Sequence, residues 1–190
     1  MVSFWWVRHG PTHRREMIGW TDLPADLSDI AALDRLAGFL PPDAPVISSD
    51  LSRAVTTADA IARNRTRLPH DPALREIGFG TWEGRPFGDV EREDPHLIRR
   101  YLEEPGDIRP PGGESWNDLA ARVSAAVDRL AEGSRDLIAV AHFGTILSQV
   151  QRARQCSAVE VLGQQIDNLS VTRLDWNGRR WSVGQTNVTP

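Results

Sequence analysis

Phe4-Trp5-Trp6-Val7-Arg8-His9-Gly10 is a short apolar run that ends in an arginine, a histidine and a glycine. The run reads as a buried strand and the glycine as the turn that takes the chain out of it. Further along, Leu137-Ile138-Ala139-Val140-Ala141 is continuously apolar, and His142 and Gly144 follow it. Such unbroken apolar runs are expected in parallel sheets covered on both faces. In open α/β sheets, ligands sit outside the carboxyl ends of the strands. If these two strands are parallel, His9 and His142 lie at one edge of the sheet. A guanidinium is a planar fork of donors that suits phosphate. An imidazole can act as a nucleophile. Arg8 and His9 together point to phosphoryl chemistry on the histidine. Taken singly, His9 also reads as an exposed turn residue and His142 as a hydrogen-bonded structural histidine.

Working outward, further strands are expected at Pro45–Ser48, Leu169–Asp175 and Arg180–Gln185. Helices alternate with the early strands. One is capped by Ser28, carries Ile30, Leu33, Leu36, Ala37 and Leu40 on one face, and stops at Pro41-Pro42. A second starts near Ser49-Asp50 with Leu51, Ala54, Val55, Ala58, Ile61 and Ala62 in helical spacing. A third is capped by Ser115 with Asp118 three residues on, and a fourth covers Thr145–Arg154. Asn177-Gly178 signals a type I′ hairpin that adds an antiparallel edge. The expected architecture is an α/β class, three-layer α/β/α sandwich with a mostly parallel sheet. Residues 1–190 read as a single domain. Residues 78–113, rich in Gly, Pro and charge with a weak helix near Asp89–Leu102, read as an insertion over one end of the sheet that covers the active site.

Composition narrows the function. Length and an apolar fraction of 40% suit a domain with a sizeable core. A net charge of −4 argues against a nucleic-acid surface. All 22 basic residues are Arg, which excludes the lysine of a phosphate-binding P-loop and Schiff-base chemistry. The single Cys156 rules out an intrachain disulfide and, with no transmembrane-length run and no signal peptide, makes the cytoplasm the expected compartment. Cys156 lacks an arginine six residues on, no Gly-x-Ser-x-Gly elbow is present, and the histidines show no metal-ligand spacing. No metal and no cofactor are expected.

Three more residues are candidates. Arg53 falls in the first turn of a helix, beside free backbone N–H groups that favour an anion. Glu76 and Glu83 flank Gly78-Phe79-Gly80-Thr81-Trp82, and either is suited to protonate a leaving alkoxide. Each alone reads first as a surface charge.

The order of these features is more specific than any one of them. Arg8-His9-Gly10, then Ser48-Ser49-Asp50-Leu51-Ser52-Arg53-Ala54-x-x-Thr57-Ala58, then Leu74-Arg75-Glu76 before Gly80-x-Trp82-Glu83-Gly84, then strand-His142-x-Gly144, resembles the histidine phosphatase superfamily, in its phosphoglycerate mutase-like branch. Gly19-Trp20-Thr21-Asp22-Leu23-Pro24 and Pro111-Gly112-Gly113-Glu114-Ser115 add to the resemblance, which spans roughly residues 3–150.

The resemblance implies that His9 is the nucleophile and becomes phosphohistidine. It implies that Arg8, Arg53 and His142 bind phosphoryl oxygens and that Glu76 is the proton donor, with Glu83 in support. Thr12 is expected near the phosphate, and Arg15 stands near where the family often has a phosphate-holding Asn. Pro11, where an acidic residue is common, and Phe143, where a second Gly is common, depart from the pattern. The chain's size and Pro-Gly-Gly-Glu-Ser segment are similar to α-ribazole phosphatases and broad-specificity phosphatases. The implied function is a metal-independent phosphomonoesterase acting on a small phosphorylated metabolite, with no membrane or nucleic-acid partner. Phosphoglycerate mutase-type transfer and a non-catalytic phospho-ligand module are the alternatives. Trp20, Trp82 and Trp116 can line an apolar pocket or simply pack. The C-terminal edge, with Trp176 and Trp181, can pair with a second copy.

Overall fold

In the computed structural model, which describes residues 1–133 and 136–190, strand β1 (Val2–Arg8) lies at the centre of a five-stranded sheet. The other strands are β2 (Val46–Ser48), β3 (Asp136–Ala141), β4 (Val171–Trp176) and β5 (Trp181–Val188), in the order β2-β3-β1-β4-β5. β1, β2 and β3 are parallel, and β4 and β5 add the antiparallel edge.

The apolar runs are buried on both faces because helices cover both. Phe4, Trp6, Leu137, Ala139 and Ala141 pack on one side against α5 (Trp116–Ala131), α6 (Phe143–Arg154) and α7 (Ala158–Leu162). Val7, Ile138, Val140 and Val46 pack on the other side against α1 (Ile30–Phe39) and α2 (Ser52–Ala62). The two-residue period of a strand sorts one continuous apolar run into two cores, and the three-layer sandwich follows.

Local chemistry sets the ends of the elements. Asp29, not Ser28, caps α1 through its Oδ1 and the Ala32 N–H at 2.9 Å, while the Ser28 N–H is held by Asp26. Helix α2 begins at Ser52, later than expected, and its first N–H is capped from a distance by Asp22 at 2.7 Å. Ser115 and Asp118 form the expected capping box on α5. The weak helix in the 78–113 segment is two helices, α3 (Phe87–Glu93) and α4 (Pro95–Glu103). Pro95 fits only the first turn of a new helix, and Asp94 caps it through the Leu97 N–H.

The C-terminal hairpin departs from expectation. A type I′ turn needs two adjacent residues at positive φ, and only Gly178 has it, at +91°. Trp176 pairs with Trp181, so the loop holds four residues. The Asn177 side chain closes it by accepting from the Arg179 and Arg180 N–H groups at 3.0 Å.

Candidate active site

The sheet register assembles the site. Arg8 stands opposite Ala141, so the residues just beyond, His9 and His142, leave the sheet together. The His9 N–H donates to the Ala141 carbonyl at 3.1 Å, and the two imidazole centroids are 5.0 Å apart. Ser48 pairs with Val140, which brings Ser49 alongside, its hydroxyl 2.7 Å from His142 Nε2. Both histidines are buried.

The tautomer of His9 is set by its own backbone. Nδ1 lies 2.7 Å from the Gly10 carbonyl oxygen. A carbonyl only accepts, so the ring proton is on Nδ1 and the Nε2 lone pair is free. Burial, then the Arg53 and Arg8 charges, lower the imidazole from its ordinary 6.5 to about 3, against the pull of the Gly10 carbonyl. His142 is held well below its ordinary value by burial first, then by His9, Arg53, Arg122 and Arg8. Both rings are therefore neutral near pH 7. Among the described residues, His142 Nδ1 is buried with no hydrogen-bond partner.

The two arginines are the most telling feature. Arg53 is 1% exposed and among the described residues its guanidinium donates only to the carbonyls of Thr21 and Gly19, at 2.9 and 2.6 Å. Arg8, half-buried, donates to the Ile166 carbonyl at 2.5 Å, and its buried Nε has no partner among the described residues. Neither forms an ion pair among the described residues. Glu76 and Asp167 act on Arg8, and Glu76, Asp22 and Glu83 on Arg53, from beyond ion-pair distance; a desolvated guanidinium without a direct counter-ion is costly, and an anion bound beside the two would relieve that cost.

Glu76 comes from the segment after α2. It is buried; Oε1 accepts from the Ile77 N–H at 2.9 Å and Oε2 from the Gly144 N–H at 3.0 Å. Helix α6 begins at Phe143 with His142 as its N-terminal flanking residue, so the Gly144 N–H is one of the donors that no helix carbonyl satisfies. A Cβ on Gly144 would stand 2.5 Å from Glu76 Oε1, so the absence of a side chain is what lets the carboxylate dock there.

Glu83 does different work. Its carboxylate accepts from the N–H groups of Gly19, Trp20, Thr21 and Phe79 and from the Thr21 hydroxyl. Burial alone lifts this carboxyl, but the Thr21 hydroxyl and the surrounding N–H groups outweigh burial and hold it below its ordinary value. Glu83 ties the N–H side of the 19–21 strap while Arg53 ties its carbonyl side. It is an organiser of the loop, and its acceptor capacity is filled.

Thr12 is half-buried in the loop after Gly10, with no side-chain hydrogen bond among the described residues. Arg15 is exposed, and only its backbone N–H is engaged, by Glu16. Neither is brought into the hydrogen-bonded cluster. Trp116 and Trp82 are buried, whereas Trp20 lies against Arg75 and Arg122, at 5.2 and 5.9 Å, and its indole N–H donates to the Glu76 carbonyl.

Sequence reading missed four supports. Thr57 accepts from the Gly10 N–H, Asn168 donates to the His9 carbonyl, Ser49 orients His142, and Arg122 clamps the carbonyls of Ala73, Arg75 and Glu76. Ser49 and Thr57 lie inside the Ser-Ser-Asp-Leu-Ser-Arg-Ala-x-x-Thr-Ala stretch, so a signal existed for them. Asn168 and Arg122 stand alone in sequence, and nothing local marks them.

Comparison with known proteins identifies the family and the fold. The family model of the histidine phosphatase superfamily (branch 1) matches residues 4–189. The bifunctional protein Rv2228c of Mycobacterium tuberculosis is 36% identical over 141 residues, which cover 67% of this chain but only 36% of that protein. The probable phosphoglycerate mutase GpmB of Proteus mirabilis is 30% identical over 193 residues, covering 95% of this chain and 88% of the relative. The mycobacterial glucosyl-3-phosphoglycerate phosphatase Rv2419c, in its complex with inorganic phosphate, superposes with a TM-score of 0.85 at 25% identity, over 100% of this chain and 98% of the other. The α-ribazole phosphatase of Shigella flexneri gives 0.84 at 23%, over 99% and 97%.

Proposed function

The chain belongs to the histidine phosphatase superfamily, branch 1, and on that premise we propose that it is a metal-independent phosphomonoesterase acting on a small phosphorylated metabolite through a phosphohistidine at His9. One observation carries this reading: two desolvated guanidiniums, with no carboxylate at ion-pair distance among the described residues, lie near a neutral imidazole whose Nε2 lone pair is not engaged. Rv2419c and the α-ribazole phosphatase, proteins of similar fold, are phosphatases by name.

In the first step the His9 Nε2 lone pair attacks phosphorus and the P–O bond to the alcohol breaks. Glu76 gives its proton to the departing oxygen. In the second step water attacks the phosphohistidine, its proton passes to the Glu76 carboxylate, and the P–N bond breaks to release inorganic phosphate and His9. Arg8 and Arg53 stabilise the charge that gathers on the equatorial oxygens, at roughly 3–4 kcal/mol per well-placed donor. His142, neutral in the free protein, serves as a hydrogen-bond donor: with the Ser49 hydroxyl donating to Nε2, the ring proton lies on Nδ1 and is free for a phosphoryl oxygen. Thr12 and Arg15, at the mouth of the loop after Gly10, are proposed as outer phosphate contacts.

The test is turnover of 4-nitrophenyl phosphate with excess EDTA. Wild-type protein is expected to release phosphate and His9→Ala to release none. Unchanged turnover in His9→Ala overturns the reading, and phosphate binding without turnover in the wild type favours a non-catalytic module. A second reading, mutase-type transfer, is favoured by the GpmB relatives; it requires phosphohistidine to react with an alcohol in preference to water, and product analysis with a glycerate acceptor separates the two.

A further inference from the structure

Beside the phosphoryl site lies a cleft of about 210 Å³ walled mainly by Phe79, Tyr101, Ile108, Trp116, Phe143 and Leu162. Among the described residues no charged side chain lines it, and the indole N–H of Trp116 is already committed to Gln151 at 2.6 Å.

Two residues of the cleft, Phe143 and Phe79, connect it to the chemistry. Phe143 follows His142, and its ring centroid lies 5.5 Å from the Arg8 guanidinium carbon. Gly144, the next residue, donates its N–H to Glu76. Phe79 stands three residues beyond Glu76 and packs edge-on against Tyr101, centroid to centroid 6.5 Å. In-line displacement places the leaving oxygen opposite the nucleophile and beside the proton donor. With Glu76 as that donor, the alcohol half would leave on the Glu76 side, where Phe79 and Phe143 are the adjoining walls of this cleft.

Resting on the reading of Glu76 as proton donor, we propose that the cleft receives the alcohol half of the substrate, and that the substrate class is a phosphomonoester of an apolar alcohol carrying one ring or an equivalent hydrocarbon group. An apolar cavity of about 150 Å³ is enough to take up benzene, so this one holds a ring and a short linker. A polyol or sugar would place hydroxyls against walls that offer them almost no partners, and burying them unpaired is unfavourable. Phe143, a departure from the family pattern, then acts as a specificity residue.

The test compares 2-phenylethyl phosphate with glycerol 3-phosphate. Both are esters of primary alcohols, so leaving-group basicity does not favour either. Their unreactive analogues, 3-phenylpropylphosphonate and 3,4-dihydroxybutylphosphonate, are measured by calorimetry in parallel. Burial of the ring is expected to favour the phenyl compounds by about ten- to a hundredfold, in kcat/KM and in binding. Ile108→Asn and Leu162→Asn, which lie outside the phosphoryl cluster, are expected to erase most of that preference while leaving glycerol 3-phosphate turnover unchanged; melting midpoints verify that both variants fold. Equal affinity for the two phosphonates, or a preference that survives both substitutions, overturns the proposal. Selective phosphonate binding with no turnover of either ester upholds the cleft assignment and overturns the phosphatase reading instead.

Discussion

Arg53 and Glu83 show how a single residue's role follows from its partners. Arg53 is a buried cation whose donors, among the described residues, meet only carbonyls, so its charge has no direct counter-ion there. Glu83 is an anion whose lone pairs are spent on the 19–21 strap. Glu76 has one backbone donor on each oxygen, so it is positioned and keeps acceptor capacity that Glu83 has spent. The two glutamates, interchangeable on sequence alone, separate in consequence. Glu76→Gln is expected to lower kcat for an alkyl phosphate by roughly 10²–10⁴-fold. The loss for 4-nitrophenyl phosphate is expected to be far smaller, because nitrophenolate departs without a proton. Equal losses on both esters contradict the assignment. Glu83→Gln is expected to act through the loop, raising KM and lowering the urea midpoint, with the ratio of rates for the two esters unchanged.

Among the elements, the junction of β3 with α6 is the sharpest constraint. Residue 144 must present a bare backbone N–H to Glu76, and a methyl group there meets Oε1 at 2.5 Å and Leu119 Cδ2 at 3.3 Å. Gly144→Ala is expected to displace the carboxylate by a few tenths of an ångström or more and to cut kcat about a hundredfold. Melting temperature and phosphate affinity are expected to change little; steady-state kinetics against calorimetry tests the split. The strands were legible because an apolar run with no polar face has one home, the middle of a covered sheet. The capping box at Ser115 and Asp118 was legible because it is local. The start of α2 was not, since its cap is Asp22, thirty residues upstream. The hairpin was misread for a related reason: Asn177 uses its side chain where the dipeptide rule assumes its backbone. His9, His142 and Arg53 stood out by position after a strand, whereas Arg122 acts across 46 residues on Glu76 and leaves no local trace.

For the molecule as a whole, the neutral histidines make stability depend on pH. His9 is lowered to about 3 and His142 well below its ordinary 6.5. Below 6.5 the unfolded chain binds protons that the fold refuses. This contribution is complete above 6.5 and is lost as pH falls toward 3, by up to about 1.4 kcal/mol per pH unit for each ring. The lowered carboxylates, such as Asp26 and Asp50, titrate below that range, so the histidines dominate between pH 6.5 and 4.5. Urea midpoints are expected to fall across that window and to fall less steeply in His142→Gln; a flat profile contradicts the buried-neutral assignment. The sheet order carries a different consequence, one of timing. β1 is hydrogen-bonded on both sides, yet Trp6 pairs with Ala139 and Thr172, which a ribosome adds on the order of ten seconds later. Until then Phe4, Trp5, Trp6 and Val7 have no sheet to enter, and the nascent chain carries its most aromatic segment bare. The central strand is thus made well before both of its partners, a non-local pairing that slows folding.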